Sequence, residues 1–360
     1  MASLVVATGV RLLGMNALRV NLFKMLLLLV PVEVAMALAW RRTPRGMGAS
    51  LTSAGLLLAP FLVISFLADV ANMQVEEGYS YSLLALSLAI LLFQLNRRNR
   101  QPLLWGTIFA VSTAGIYLAK SSMIPVVAVL VVSFLWLERR LAPRVLVVVL
   151  VLSAPLGWAT YQQYASGRFS IGTSIDGINL HKSNSPEFLA LYPPAPGQTL
   201  DGHDQDLNRG LSFRDEWTFN EYHQKTAIAF LKSHPVETLQ GDERKLWVMF
   251  VSLRKVGSSE STGRLLLAET AGLVLFRLVL WVAIAGSIFV LVRGQRVCGG
   301  SLQVYGLVFL AVVCAVALPY LLGFAYTRHV SVLICPAALM CCRLLQPEAS
   351  RSPACVVGTI

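Results

Sequence analysis

Glu76 and Glu77 are adjacent carboxylates just ahead of an apolar run that begins near Tyr81. A carboxylate at a membrane–water boundary can take the proton of an acceptor hydroxyl, or hold a cation that neutralises a leaving phosphate. It can equally cap the helix that follows, since acids favour a helix N-terminus. Lys120 stands in a three-residue polar turn, Lys120-Ser121-Ser122, between two apolar runs. Arg328 and His329 open the last apolar run, and Arg244 and Lys245 close the charged patch Asp242-Glu243-Arg244-Lys245. Cations at these places can hold a lipid phosphate, arginine with two parallel hydrogen bonds. They can also serve as interfacial anchors, and Arg244 and Lys245 can pair with Asp242 and Glu243. The histidines lack the spacing of a metal site such as HExxH and read as scattered surface residues. Asp201, Asp204 and Asp206 resemble an oxygen cage for a divalent ion but lack the glycine and closing glutamate of an EF-hand. A divalent metal ion therefore stays an open expectation, with no ligand set assigned. The six cysteines lie in or near the last three apolar runs without metal-ligand spacing and read as small apolar helix residues.

The elements that must position these residues are membrane helices. Of the 360 residues, 56% are hydrophobic and 14% charged, against about 25% charged in a soluble domain. The polar segment from Gln162 to Arg264 holds 12 of the 19 acidic residues and four of the five histidines, at a net charge of −1. The remainder carries the basic excess in short linkers: Arg41, Arg42 and Arg45; Arg97, Arg98 and Arg100; Arg139, Arg140 and Arg144; Arg293 and Arg296. That segregation is the positive-inside pattern. It argues against nucleic acid as a partner, which would call for an interleaved basic and aromatic surface.

The apolar runs predict nine crossings: 20–40, 51–68, 81–95, 103–119, 123–137, 145–161, 265–292, 302–322 and 329–345. Every basic linker then falls on one side, and both the 69–80 loop and the 162–264 segment on the other. The expected organisation is a transmembrane bundle over 1–161, an outer, periplasmic-type loop over 162–264, a second set of transmembrane helices over 265–345 and a cytoplasmic tail over 346–360. Within the loop, residues 167–210 are rich in Gly, Pro, Asn and Ser and predict turns and extended chain. Helices are expected over 215–233, stopping before Pro235, and over 236–253, the second lying in the interface with Trp247 at headgroup level. Glu33 and Arg277 are the charges well inside spans, where they can be functional or simply paired.

Four stretches resemble the polyprenyl-phosphate-sugar-dependent glycosyltransferases of the GT-C fold, the group of protein mannosyltransferases and the aminoarabinose transferase. They are Gly172 to Pro186, Glu216 to Lys245 with its His234-Pro235 break, Arg328-His329 followed by Pro336, and Pro60 followed by Glu76-Glu77. The resemblance implies an all-α GT-C-like membrane fold that transfers a sugar from a polyprenyl phosphate to a lipid, glycan or protein acceptor on the outer face, and composition sets the expected location as a bacterial inner (plasma) membrane. It implies catalytic roles for Glu76 and Glu77, with Glu77 near the family's second acidic position. It implies lipid-phosphate contacts for Lys120, Arg244, Lys245, Arg328 and His329, and substrate contacts for Asp176, Asn179, Asn184 and Glu216. The chain departs from the family in lacking the acidic outer loop that follows the first membrane helix. The expectation is that the chain is the C-terminal part of a longer transferase, works with a second membrane chain that supplies the acid, or is not catalytic, and that alone it transfers little or no sugar. Other classes stay open: an O-antigen ligase or polymerase, a non-catalytic partner subunit, or a transporter. No internal repeat of the transporter kind is visible.

Overall fold

A computed structural model describes residues 2–41, 53–56, 76–93, 101–195, 200–253, 263–293 and 300–345. Regular structure among them is entirely helical. The first seven helices are α1 (Ala2–Leu13), α2 (Ala17–Trp40), α3 (Glu76–Phe93), α4 (Pro102–Ala119), α5 (Ile124–Leu137), α6 (Leu141–Ser166) and α7 (Asp176–Lys182). The remainder are α8 (Phe188–Leu191), α9 (Asp201–Asn208), α10 (Glu216–Ser233), α11 (Pro235–Phe250), α12 (Gly263–Arg293), α13 (Gly300–Leu322) and α14 (Ile334–Leu344). Short 3₁₀ turns at Ser121–Met123 and Thr327–Leu333 lead into α5 and α14.

Two helices form the centre of the bundle. In α3, Leu84, Ala85, Leu88, Ala89, Ile90 and Leu91 are all at most 2% exposed, and in α14 every residue from Ile334 to Cys342 is buried. A helix apolar and buried all round belongs inside a bundle. α2, α4 and α14 pack on α3, and α12, α13 and α14 pack on one another. Between α3 and α4 a small polar cluster replaces apolar contact: Ser87 Oγ lies 2.7 Å from Ser112 Oγ and 3.2 Å from Thr113 Oγ1. Small hydroxyl residues let helix backbones approach and bond across the gap.

The peripheral helices do the opposite. Leu22, Leu26 and Val30 of α2, and Val145, Val149, Leu152 and Leu156 of α6, are each about half exposed or more. Their spacing of three and four residues makes a continuous apolar stripe on each helix. Stripes of that length facing outward need hydrocarbon around them. Six described helices are long and apolar enough to cross a bilayer, with Gly78–Phe93 and Ser121–Leu137 as shorter apolar pieces. The chain is a helical, integral, multi-pass membrane protein. Helices occupy eight of the nine expected spans. The ninth, 51–68, lies outside the described residues apart from 53–56.

The polar segment is more regular than its composition suggests. Three short helices, α7, α8 and α9, interrupt the stretch expected to be turns and extended chain. α10 begins where the sequence places it because Asp215 caps it, accepting hydrogen bonds from Thr218 N at 2.7 Å and Thr218 Oγ1 at 2.9 Å. These bonds hold the Asp215 carboxyl below its usual pKa. α11 starts directly at Pro235, which suits the first helical position because it has no N–H to leave unpaired. Its other end is capped from the membrane: Arg277 of α12 donates through Nη2 to Val248 O at 3.0 Å and through Nε to Ser252 O at 3.4 Å. The intramembrane arginine is therefore paired with helix-terminal carbonyls, where positive charge is favoured.

Candidate functional site

The site is organised by the end of α13. The last carbonyls of a helix have no partner within it and must find one elsewhere. Here the polar segment supplies them. Lys245 Nζ donates to Leu321 O at 2.6 Å, and Leu322 O accepts from Asn184 Nδ2 at 2.8 Å and Ser183 Oγ at 3.2 Å. Lys245 is 1% exposed and also bonds Asp242 Oδ1 at 3.0 Å. Burial pushes its pKa down and Asp242 opposes that shift. Further along, Tyr192 Oη donates to Ala325 O at 2.6 Å, and Tyr326 Oη accepts from Leu200 N at 3.0 Å. Arg244 Nη1 donates to Leu189 O and, at 3.0 Å, to Tyr192 O. The polar segment is thus stapled to the 321–326 connection, and that connection aims Arg328 and His329.

What results is a cavity of about 560 Å³ where four chain regions meet. Lys120 and Ser122 come from the turn after α4, and Ser170, Gly172 and Thr173 from the chain after α6. Asp176 and Asn179 come from α7 and Asn220 and Gln224 from α10, while Tyr320 comes from the last turn of α13 and Phe324, Arg328 and His329 from the α13–α14 connection. The basic groups sit on aromatic supports. Lys120 Nζ is 5.4 Å from the Tyr320 ring centroid, Tyr320 stacks on His329 at 4.2 Å, and the Arg328 guanidinium is 5.1 Å from the Tyr326 ring. A ring face attracts a cation beside it and helps hold it in place. His329 Nδ1 accepts from Tyr326 N at 3.1 Å, which leaves the proton of a neutral ring on Nε2. The remaining polar lining is made of amides, hydroxyls and one acid.

Two anchors fix the 170–173 part of that lining: Tyr117 Oη donates to Ile171 O at 2.7 Å and Trp158 Nε1 to Gly172 O at 3.3 Å. α7 docks on α10 by close backbone contact. Gly177 N donates to Asn220 Oδ1 at 2.5 Å, and a Cβ at Gly177 would lie 2.1 Å from Asn220 O. Behind the same contact, His181 Nδ1 meets His223 Nδ1 at 2.7 Å, while His223 Nε2 bonds Asn208 Oδ1 at 2.9 Å. The asparagine oxygen makes His223 Nε2 the protonated nitrogen, so His181 Nδ1 donates and His223 Nδ1 accepts. Burial first, then the neighbouring His223 and His203, lower the His181 pKa to about 4, with Glu187 opposing. Burial also lowers that of His223.

Of the residues singled out from the sequence, Lys120, Arg328, His329, Asp176 and Asn179 line this one cavity. Glu76 and Glu77 start α3, and their side chains lie outside the described residues. Tyr79, two residues on, packs with Ala119 beside Lys120, so that end of α3 neighbours the turn. Asn184 and Lys245 are buried in the capping of α13, and Arg244 holds two carbonyls of the polar segment. Glu216 accepts from Ser174 Oγ at 2.8 Å, away from the cavity lining. The histidines correct the surface reading: His181, His203 and His223 are buried, with Ser185 Oγ 3.0 Å from His203 Nε2, and His234 alone of the four is exposed. Asp206 pairs with Arg209 at 2.7 Å, the side chains of Asp201 and Asp204 lie outside the described residues, and no cluster of His, Cys, Asp or Glu fit to hold a metal occurs among the described ones. Asn220, Gln224, Tyr320 and Phe324 escaped the sequence reading. The four-residue step from Asn220 to Gln224 was the available signal for one polar helix face. Compared with protein families, characterised proteins and solved structures, the chain gives no match.

Proposed function

We propose that this chain binds a polyprenyl-phosphate-linked sugar and belongs to a membrane glycosyl-transfer system of the GT-C kind. The observation that carries this reading is the meeting of Lys120 and Arg328, about two hundred residues apart in sequence, in one cavity with Asp176, Asn179, Asn220 and Gln224. Two cations at the ends of membrane helices suit a phosphate at headgroup depth. Amides and a carboxylate in the same lining suit sugar hydroxyls, and the Tyr320 and Phe324 rings offer an apolar face. In the reaction, the acceptor oxygen forms a bond to the anomeric carbon as the bond to the phosphate oxygen breaks. The acceptor proton passes to a base, and the polyprenyl phosphate leaves held by Lys120 and Arg328. The same proposal has nine crossings, with the polar segment on the outer face of a bacterial plasma membrane and the acceptor arriving from that side.

One observation favours a second reading, a donor-binding partner subunit. Asp176 is the one acid lining the cavity among the described residues, and Thr173 already engages both its oxygens, N to Oδ2 at 2.8 Å and Oγ1 to Oδ1 at 2.7 Å. The base would then be Glu76 or Glu77, or an acid from a second chain. The test is to purify the chain in nanodiscs and measure both binding and turnover of polyprenyl-phosphate sugars. Binding that weakens in Lys120→Ala and Arg328→Ala, with turnover lost in a Glu76→Gln, Glu77→Gln double variant, supports transfer. Binding without turnover supports the partner role, and no binding rejects both.

A further inference from the structure

A second concavity lies on the other flank of the polar segment, where α11 meets the membrane helix α12. It is about 790 Å³ and is lined by Pro193, Gln240, Glu243, Arg244, Leu246, Trp247, Phe250, Val251 and Trp281. Residues 240, 243, 244, 247, 250 and 251 recur every three or four positions, so they form one face of α11. Polarity changes along that face. Gln240, Glu243 and Arg244 form one end, and Trp247, Phe250 and Val251 the other, where Trp281 joins them from α12. From Gln240 to Val251 the helix rises about 16 Å. Trp281 precedes Arg293, the end of α12, by twelve residues or about 18 Å of helix, which sets it well inside a hydrocarbon layer about 30 Å thick. The apolar end of the groove, held to Trp281, therefore lies at bilayer depth, and its polar end lies about 16 Å further along α11. Trp281 Nε1 donates to Phe250 O at 3.0 Å and so holds the two walls together, while Trp247 and Trp281 remain 59% and 46% exposed.

We propose that this groove holds one phospholipid of the leaflet on the polar segment's side, of the class whose headgroup carries both a phosphate and a primary amine. The gradient along α11 matches the head-to-tail gradient of a lipid, and the charges at its polar end match this headgroup in particular. Arg244 is exposed and uses Nη1 for the two backbone carbonyls, so its remaining N–H groups can meet a phosphate. Glu243, its neighbour, is exposed and forms no ion pair among the described residues. It places a negative charge where an ammonium would sit, and it disfavours a headgroup with phosphate alone. That requirement separates the groove from the basic cavity around Lys120. The inference rests on the membrane character of the chain and is independent of the glycosyl-transfer reading.

The experiment is native mass spectrometry of the full chain, released from nanodiscs of equal phosphatidylethanolamine and phosphatidylglycerol content, with and without added polyprenyl phosphate. One phosphatidylethanolamine should stay bound in preference to phosphatidylglycerol, and Glu243→Gln should reduce that preference about threefold, the size expected of one exposed charge pair. Trp247→Ala should lower retention of the lipid without changing the headgroup preference. Equal retention of both lipids by the unaltered chain, or an unchanged preference in Glu243→Gln, overturns the proposal. So does displacement of the phosphatidylethanolamine by polyprenyl phosphate, which would make the groove a donor-tail site.

Discussion

Lys120 and Lys245 show how far burial separates two lysines that look alike in sequence. Lys120 is half-buried, borders the cavity and leans on an aromatic ring. Lys245 is spent on Asp242 and the last turn of α13. Substituting them should have different effects. Lys120→Ala and Arg328→Ala are each expected to weaken polyprenyl-phosphate binding about tenfold or more, since a hydrogen bond to a charged group is worth about 1.5–3 kcal/mol. A scintillation-proximity assay on the nanodisc-embedded chain checks this, and unchanged affinity in both variants removes the phosphate site. Lys245→Met leaves the Leu321 carbonyl and Asp242 without their partner. An unsatisfied buried polar group costs about 1–3 kcal/mol, so its thermal stability should drop while any residual folded protein keeps its donor affinity. A Tm equal to that of the parent chain would show that the α13 cap is dispensable.

At the scale of elements, the wall of the cavity depends on the seat of α7 against α10. That seat has two parts, the Gly177 contact with Asn220 and the His181–His223 pair. Gly177→Ala drives a methyl into a backbone oxygen, and overpacking of this kind costs about 1–3 kcal/mol. Limited proteolysis should then cut near 170–185 faster than in the parent. The histidine pair makes the seat sensitive to acid. His181 falls from an ordinary 6.5 to about 4 in the folded chain, so protons bind the undocked state better. The contribution of the pair is fully present above pH 6.5 and is lost progressively as pH falls from 6.5 towards 4. Facing His181 are His223, His203 and Glu187, and of these only Glu187 favours the protonated ring. Hydrogen-exchange protection of Gly177 to Lys182, corrected for intrinsic rates, should decline over that window. His181→Gln should weaken the decline, leaving the part that belongs to His223, whose pKa burial also lowers, and persistence of the same pH profile in that variant would place the titrating group elsewhere.

At the scale of the whole molecule, lipid-facing stripes on α2 and α6 and buried α3 and α14 give a bundle whose polar end is closed by the 162–264 segment. Side-specific labelling tests which way it sits. In a cysteine-free background, Tyr164→Cys, at a residue 91% exposed in the last turn of α6, should react with an impermeant thiol reagent in intact cells. Arg139→Cys, on the basic-linker end of α5, should react only after permeabilisation. The reverse result would invert the topology and with it the outer-face reading of the cavity.

The membrane class, the helical content, the approximate ends of eight apolar helices, six of them long enough to cross a bilayer, and the start of α10 were legible in the chain itself. Each is set by local information: apolar runs near the length of a bilayer crossing, charge segregation between linkers, and a capping aspartate. Which span faces lipid and which lies at the centre was not legible, because all are apolar and only their neighbours tell them apart. The same holds for the polar residues. Nothing local in Lys245, Asn184 or His181 says that it will be buried. Each is buried because the orphan carbonyls at the end of α13, or the close seat of α7 on α10, require a donor or a partner at that point. Lys120 and Arg328 were recognisable as cations at helix ends, but their meeting in one cavity depends on α5 packing against α13 and on the polar segment clamping residues 321–326. Long-range packing of this sort leaves no periodicity in the sequence, and only the tertiary structure decided it.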